Sequence, residues 1–345
     1  MRALVLEADK ILTLNEREIP NPGKGEYLVR IANTGICNSD IFRGFDGGAY
    51  HYPLVMGHEI SGTIEASGFE AQKFQLGDRV AVFPLLPCYR CEACSERKWV
   101  LCESYDYYGS RRDGGYQDYL NVKEWNLIAV PQETPLYRAS LCEPVSVCFR
   151  ATNMLTDVPK AAPILILGGG LLGMISALIL KNKLGFTEVT ITDRNQFKLD
   201  FAAQMGINGL SYESLKTSKK LFAGGLEACG ATTTFIDSIR HAQRGATVVW
   251  MGNIMADIQL SKQIVSSILR KELKIKGTWN SNYQQGENDD WSEALNLLGQ
   301  ADWIESLLTH RVAPAEVPGL MAEMIAIKKD HRPHNIFKAI IDFSK

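Results

Sequence analysis

The sequence has no excess of charge of either sign. Its 37 lysines and arginines stand against 39 aspartates and glutamates, a formal net charge of -2. That balance gives no electrostatic reason to bind nucleic acid or an anionic membrane surface. There is also no opening signal of basic, apolar and small residues, because Glu7, Asp9 and Lys10 interrupt the first apolar run too soon. The expected compartment is the cytoplasm. No internal repeat or low-complexity tract occurs. One stretch imitates a membrane span: residues 161–180 carry no charge, and that length could cross a bilayer. Pro163 and the run Gly168-Gly169-Gly170 divide it into a short apolar strand, a turn and a helix. A buried core element is the better account.

What is present is an ordinary globular balance, 46% hydrophobic and 22% charged, in 345 residues. That length suits two domains. The first half reads as β-rich, with short strands expected at 27–32, 60–66 and 79–83 between Gly and Pro punctuation. From Pro163 the pattern changes. An apolar run, Ile164 to Leu167, leads into a glycine turn and a helix over 171–184. A strand at 189–192, a helix at 196–205 and a strand at 247–251 follow. Alternating strand and helix indicate a doubly wound parallel α/β sheet. The expected layout is a β-rich domain over 1–150 and 279–345, interrupted by a dinucleotide fold over 151–278.

Gly168-x-Gly170-x-x-Gly173 follows an expected strand and opens an expected helix, and Asp193 ends the next strand. The first glycine permits a tight turn, the second a close approach of backbone to pyrophosphate, the third close packing of helix on strand. The helix N-terminus, with Leu171 and Leu172 in its first turn, faces the phosphates. Asp193 would accept from the ribose hydroxyls and repel an extra phosphate, which favours NAD over NADP. Arg194 softens that preference, since a nearby arginine accommodates a 2′-phosphate.

Four of the eight cysteines lie close together at Cys88, Cys91, Cys94 and Cys102. Clustered thiols in a cytosolic chain point to metal rather than to disulfides. Four thiolates close the tetrahedron of a structural zinc. An iron–sulfur run begins with the same spacings but continues with a three-residue gap and a proline; here the gap is seven residues and Glu103 follows. A nucleic-acid role for this lobe through Arg90, Arg97 and Lys98 is countered by Glu92, Glu96 and Glu103.

The other candidate ligands are scattered: Cys37 beside Asn38 and Ser39, His58-Glu59 after Gly57, and Glu143 before Pro144. Three protein ligands with one open position make a catalytic zinc. Taken singly, a lone cysteine is usually a small buried hydrophobe, and spacing alone does not bring these residues together.

Taken in order, however, Gly-x-Cys-x-Ser-Asp, Gly-His-Glu, the four-cysteine lobe, Glu-Pro and Gly-x-Gly-x-x-Gly resemble the zinc-containing medium-chain alcohol and polyol dehydrogenases over the whole chain. The resemblance implies a Rossmann cofactor domain inserted in a GroES-like catalytic domain. It implies two zinc ions, one catalytic on Cys37 and His58 with Glu59 and Glu143 as ligating or exchanging carboxylates, one structural on the four cysteines. NAD would lie on Gly168, Gly170, Gly173 and Asp193, and Ser39 would relay a proton. The activity implied is oxidation of a secondary alcohol, in a homodimer or homotetramer. Tyr52-Pro53, the run 84–88 and Gly109-Ser110-Arg111-Arg112-Asp113-Gly114-Gly115 resemble the branch acting on sugar-alcohol phosphates such as galactitol 1-phosphate. Arg111 and Arg112 are the expected phosphate contacts, because a guanidinium fork binds phosphate bidentately. His51 and Lys271 are weaker candidates. The alternatives are a dehydrogenase of free polyols or diols, or an NAD-binding sensor without catalysis. Two departures from the family pattern, Asp157-Val158-Pro159-Lys160 and Pro333-His334-Asn335, lie away from the metal motifs.

Overall fold

The computed structural model describes residues 1–330 and 332–345. The chain divides into two compact units: Met1–Ser146 with Asn282–Arg332 and Ile336–Lys345, and Val147–Ser281 with Pro333–Asn335.

The first unit is built on a seven-stranded sheet whose long middle strand, Glu26–Ile36, pairs antiparallel with Glu59–Ser67, Tyr119–Lys123 and Lys338–Asp342. A three-stranded sheet formed around Arg2–Ala8 packs in the same core, with Leu4, Leu6, Val29, Ile31, Met56 and Ile341 all buried. The C-terminal strand therefore lies beside the strand that delivers Cys37, about three hundred residues away in sequence. Its register sets Ala339 against Ile36, while Gly35 faces Glu59 on the other side.

The second unit is a six-stranded, all-parallel sheet. Its order is Asn208–Ser211, Val189–Asp193, Ile164–Leu167, Phe222–Glu227, Ala242–Trp250 and Lys274–Gly277. Numbered along the chain this is 3-2-1-4-5-6, the doubly wound order whose reversal lies beside the first strand. Ile164–Leu167 is wholly buried because helices cover both faces. The apolar run that imitates a membrane span is thus this strand plus the helix Leu171–Leu178, continued by a wider π-helical turn at Ile179–Lys183. Among the described residues no helix is long and apolar enough to cross a membrane.

Candidate metal and cofactor sites

Cys37 directly follows the middle strand and takes the N-cap position of the helix Asn38–Phe45. Ser39 follows in that helix's first turn. Asp40 returns its carboxylate to the Cys37 amide at 3.1 Å, which locks the turn. Glu59 opens the neighbouring strand and His58 directly precedes it, 1% and 5% exposed. One donor atom each from Cys37, His58 and Glu59 lie within 4.8 Å of one another. Residues that spacing could not assemble are brought together by two paired strands. A half-buried thiol with a buried imidazole and a buried carboxyl suits zinc.

The partners of this cluster were not legible in the sequence. Asp40 is fully buried, and its Oδ1 lies 3.4 Å from His58 Nδ1 and 2.9 Å from an Arg43 nitrogen. Its other oxygen accepts from the Tyr116 hydroxyl at 3.0 Å. Burial alone would raise the Asp40 carboxyl, but His58 and Arg43 hold it down at about 2. A carboxylate behind a ligating imidazole fixes the ring's orientation and raises its basicity. Glu59 has its own partner, the buried ammonium of Lys338. Glu143, at the start of the helix Cys142–Asn153, is buried. Burial pushes its carboxyl up to about 7 against the pull of His58. Its Oε1 accepts a long 3.5 Å bond from the Tyr107 hydroxyl. It stands outside the three-residue group.

The second constellation is local. Cys88, Cys91, Cys94 and Cys102 converge with all sulfurs within 4.8 Å of one another, and every cysteine of the chain is a free thiol. The Cys88 and Cys94 sulfurs are 4.0 Å apart, close to the roughly 3.8 Å edge of a tetrahedron with Zn–S bonds of about 2.3 Å. The lobe turns through left-handed backbone at Tyr89 and Arg97. An edge-to-face cluster of Tyr89, Trp99 and Trp125, with ring centroids 5.6 to 5.8 Å apart, packs beside it. The donor set fits a closed structural zinc with no place for substrate.

In the second unit the glycines form a tight turn and a close packing of helix on strand. Gly168 has φ +108°, a region closed to other residues. A Cβ on Gly173 would overlap the Gly168 carbonyl, whereas one on Gly170 would meet nothing within 4 Å. An open face at a helix N-terminus has the character that suits an anion. Leu171 and Leu172 are half-buried in the helix's first turn. Asp193 accepts from Gly169 N and Asn195 N, both at 2.8 Å, and has the Lys198 ammonium at 3.5 Å. Lys198 is a residue that motif reading did not supply. Arg194 is exposed.

Arg111 and Arg112 are less free than paired arginines suggest. Arg112 is bound to Asp106 at 2.7 Å. Arg111 donates to the Tyr105 carbonyl and lies over the rings of Tyr105 and Tyr50, 4.0 and 5.1 Å from their centroids. His51 Nε2 is 3.3 Å from the Arg111 carbonyl. Lys271 belongs to the other unit and caps the carbonyls of Arg240 and Ala242.

Residues 23–132 match the alcohol dehydrogenase GroES-like domain, and residues 172–300 match the zinc-binding dehydrogenase domain. Galactitol 1-phosphate 5-dehydrogenase of Escherichia coli (strain K12) is 31% identical over 322 residues, covering 90% of this chain and 92% of that protein. The chain belongs to the zinc-binding alcohol dehydrogenases. L-galactonate-5-dehydrogenase of the same strain, another relative of this dehydrogenase, is 27% identical over 322 residues, covering 90% of this chain and 91% of its own. The crystal structure of galactitol-1-phosphate dehydrogenase from Escherichia coli matches with a TM-score of 0.88 and 29% identity, covering 99% of this chain and 100% of that one. The dehydrogenase is thus an oxidoreductase of the polyol and alcohol type that uses zinc and a nicotinamide dinucleotide on a small-molecule substrate.

Proposed function

We propose that this dehydrogenase transfers a hydride from a secondary hydroxyl of a sugar-alcohol phosphate, galactitol 1-phosphate or a near relative, to NAD. The observation that carries the catalytic part is the convergence of donor atoms from Cys37, His58 and Glu59, with Asp40 behind the imidazole. A sensor that only bound NAD would need the glycine turn and the cysteine lobe, and nothing in that role calls for this third arrangement. The four cysteines hold the structural zinc, and Gly168, Gly170, Leu171, Leu172, Gly173 and Asp193 hold the dinucleotide, with Arg194 at its edge.

Bound zinc supplies Lewis acidity toward the substrate hydroxyl, and the nicotinamide supplies the hydride acceptor. The chain's own residues do the rest. Cys37, His58 and Glu59 would hold the metal, with Glu143 an exchanging carboxylate at its margin. Asp40 keeps the His58 ring turned toward the ligand position. Ser39, in the first turn of the helix that Cys37 caps, relays the hydroxyl proton outward.

For the substrate, the support is the identity to the galactitol 1-phosphate enzyme and one cation. Arg111, held flat by Tyr50 and Tyr105, keeps a pre-oriented guanidinium on a loop beside His51. Arg112, already paired with Asp106, contributes less. A plain polyol or diol is the second reading, favoured by how fully these two arginines are engaged. A panel of free and phosphorylated sugar alcohols followed by NADH absorbance decides between them: if sorbitol, xylitol or butanediol outperforms every phosphorylated polyol, the phosphate reading is wrong.

We place the enzyme in the cytoplasm, where the lobe's thiols stay reduced, as a homodimer or homotetramer. The strand Lys274–Gly277 forms an edge of its sheet, and Leu269 and Trp279, 71% and 55% exposed, lie close to it in sequence. An open edge with exposed apolar side chains favours a second copy. Light scattering that gives a monomer mass would refute this.

A further inference from the structure

Among the described residues Lys338 is the only lysine or arginine that is buried, at 2% exposure. A buried cation is retained only with partners, and those of Lys338 are specific. Its ammonium donates to the Ile36 carbonyl at 3.0 Å, one residue before Cys37, and pairs with Glu59 Oε2. It thus touches both segments that deliver metal donors.

The route is unusual. Lys338 lies on the strand next to the middle strand, and Glu59 lies on the strand beyond it, so the pair crosses two strand spacings, about 9.5 Å. The residue it crosses is Gly35. A Cβ there would overlap Glu59 Oε2 and approach Lys338 Cε to 2.8 Å. Gly35 has no positive φ, so the space over it, rather than its backbone conformation, requires glycine.

The coordination count gives this pair a purpose. Cys37, His58 and a Glu59 that chelates with both oxygens would supply four donors and close a tetrahedral site. With one oxygen withheld the count is three, and a position stays open for substrate. We propose that Lys338 is a positioning residue that holds Glu59 Oε2 away from the metal, and that Gly35 is small so that this ion pair can pass over the middle strand. The proposal rests on reading Cys37, His58 and Glu59 as a zinc site.

Full-length Lys338→Met, Lys338→Arg and Gly35→Ala, each zinc-loaded, test it. In Lys338→Met the freed carboxylate should close the site. Release of that zinc to a chelator should slow at least tenfold, and the visible bands of the cobalt-substituted site should shift. The Michaelis constant should rise more than kcat falls, because substrate must displace the carboxylate. Lys338→Arg should restore the wild-type spectrum and release rate, and Gly35→Ala, which expels the pair without changing charge, should reproduce Lys338→Met. A merely structural lysine would lower the melting temperature and loosen the zinc instead. Zinc released from Lys338→Met as fast as from wild type, or faster, overturns the proposal. Should that variant not fold, the same result in Gly35→Ala does so. A wild-type chain that holds one zinc, unchanged in Cys37→Ser, brings down the underlying site; loss of one zinc in Cys37→Ser with unaltered release in Lys338→Met brings down only the role of Lys338.

Discussion

The first unit carries two thiol-containing constellations built on opposite principles. The lobe takes all its donors from fifteen consecutive residues, and its donor group is four sulfurs with no imidazole or carboxylate. The Cys37 cluster takes its donors from two strands, and a third strand supplies a cation to Glu59. Asp40, Arg43 and Tyr116 add a further layer behind His58. A closed sulfur site needs only a loop that turns correctly. An open site must hold unlike donors at fixed positions while leaving one place free, so it needs the whole sheet as a frame. The comparison teaches that the amount of supporting structure follows the demand for an open position rather than the number of ligands.

The sharpest way to break this comparison is to remove one thiol from each. Cys37→Ser should lower kcat/KM by about a thousandfold or more, equivalent to roughly 4 kcal/mol of transition-state stabilisation. Its melting temperature should stay within a few degrees of wild type, and bound zinc should fall from two per chain to one. Elemental analysis beside steady-state kinetics checks both. A variant that keeps activity, or unfolds, would erase the distinction. Cys91→Ser should do the reverse. Loss of the lobe's zinc should cost a few kcal/mol and lower the melting temperature by on the order of 10 °C. Protein still folded at the assay temperature should keep most of its turnover. The aromatic packing of Tyr89 and Trp99 on Trp125 should then loosen, which near-UV circular dichroism would report.

The same contrast explains what could be read in the sequence. The lobe and the glycine turn are local, so their spacing states their chemistry, and the buried run Ile164–Leu167 states its strand. The strand Phe222–Glu227 is not marked, since Gly224 and Gly225 interrupt any apolar pattern. A Cβ on Gly224 would strike Ile164 Cδ1, so packing between neighbouring strands requires what pattern reading takes for a break. Thr232–Arg240 is a helix although it opens on three threonines, residues that favour strands when taken alone. Here the alternation of the parallel sheet overrides propensity. The Cys37 cluster was legible only through family resemblance. Lys338 was not legible as its partner, because a contact across three hundred residues leaves no spacing to read, and Asp40, although it stands in the Cys37 motif, carries no sequence mark of its contact with His58.

The phosphate contact is a smaller effect and sits on neither constellation. Arg111→Ala should raise the Michaelis constant for galactitol 1-phosphate by roughly thirty- to more than a hundredfold, the loss of about 2–3 kcal/mol from a charge-assisted pair. The free polyol should be affected less than threefold, about 0.6 kcal/mol. Arg112→Ala should have the weaker effect, because Asp106 already occupies that guanidinium. Equal losses on both substrates would make Arg111 a brace for its loop, through the Tyr105 carbonyl, and not a substrate contact.

The smallest effect is expected in the second unit, where a local motif meets a partner that it did not predict. Asp193 is tied at both oxygens by the Gly169 and Asn195 amides, so its carboxylate is fixed before any ribose arrives. A fixed acceptor loses little entropy on binding, and its charge opposes a 2′-phosphate. Lys198, 3.5 Å away, partly offsets that charge and would attract the same phosphate. Asp193→Ala should therefore leave Lys198 and Arg194 unopposed and narrow the preference for NAD over NADP by about tenfold, roughly 1.4 kcal/mol. Asp193→Ala with Lys198→Ala should return part of that preference, because the cation that rewarded NADP is gone. The ratio of kcat/KM for the two cofactors in the three proteins decides it. If the double variant accepts NADP better than Asp193→Ala does, Lys198 opposes the phosphate rather than attracting it, and discrimination rests on the shape of the turn at Gly168–Gly170 instead of on charge.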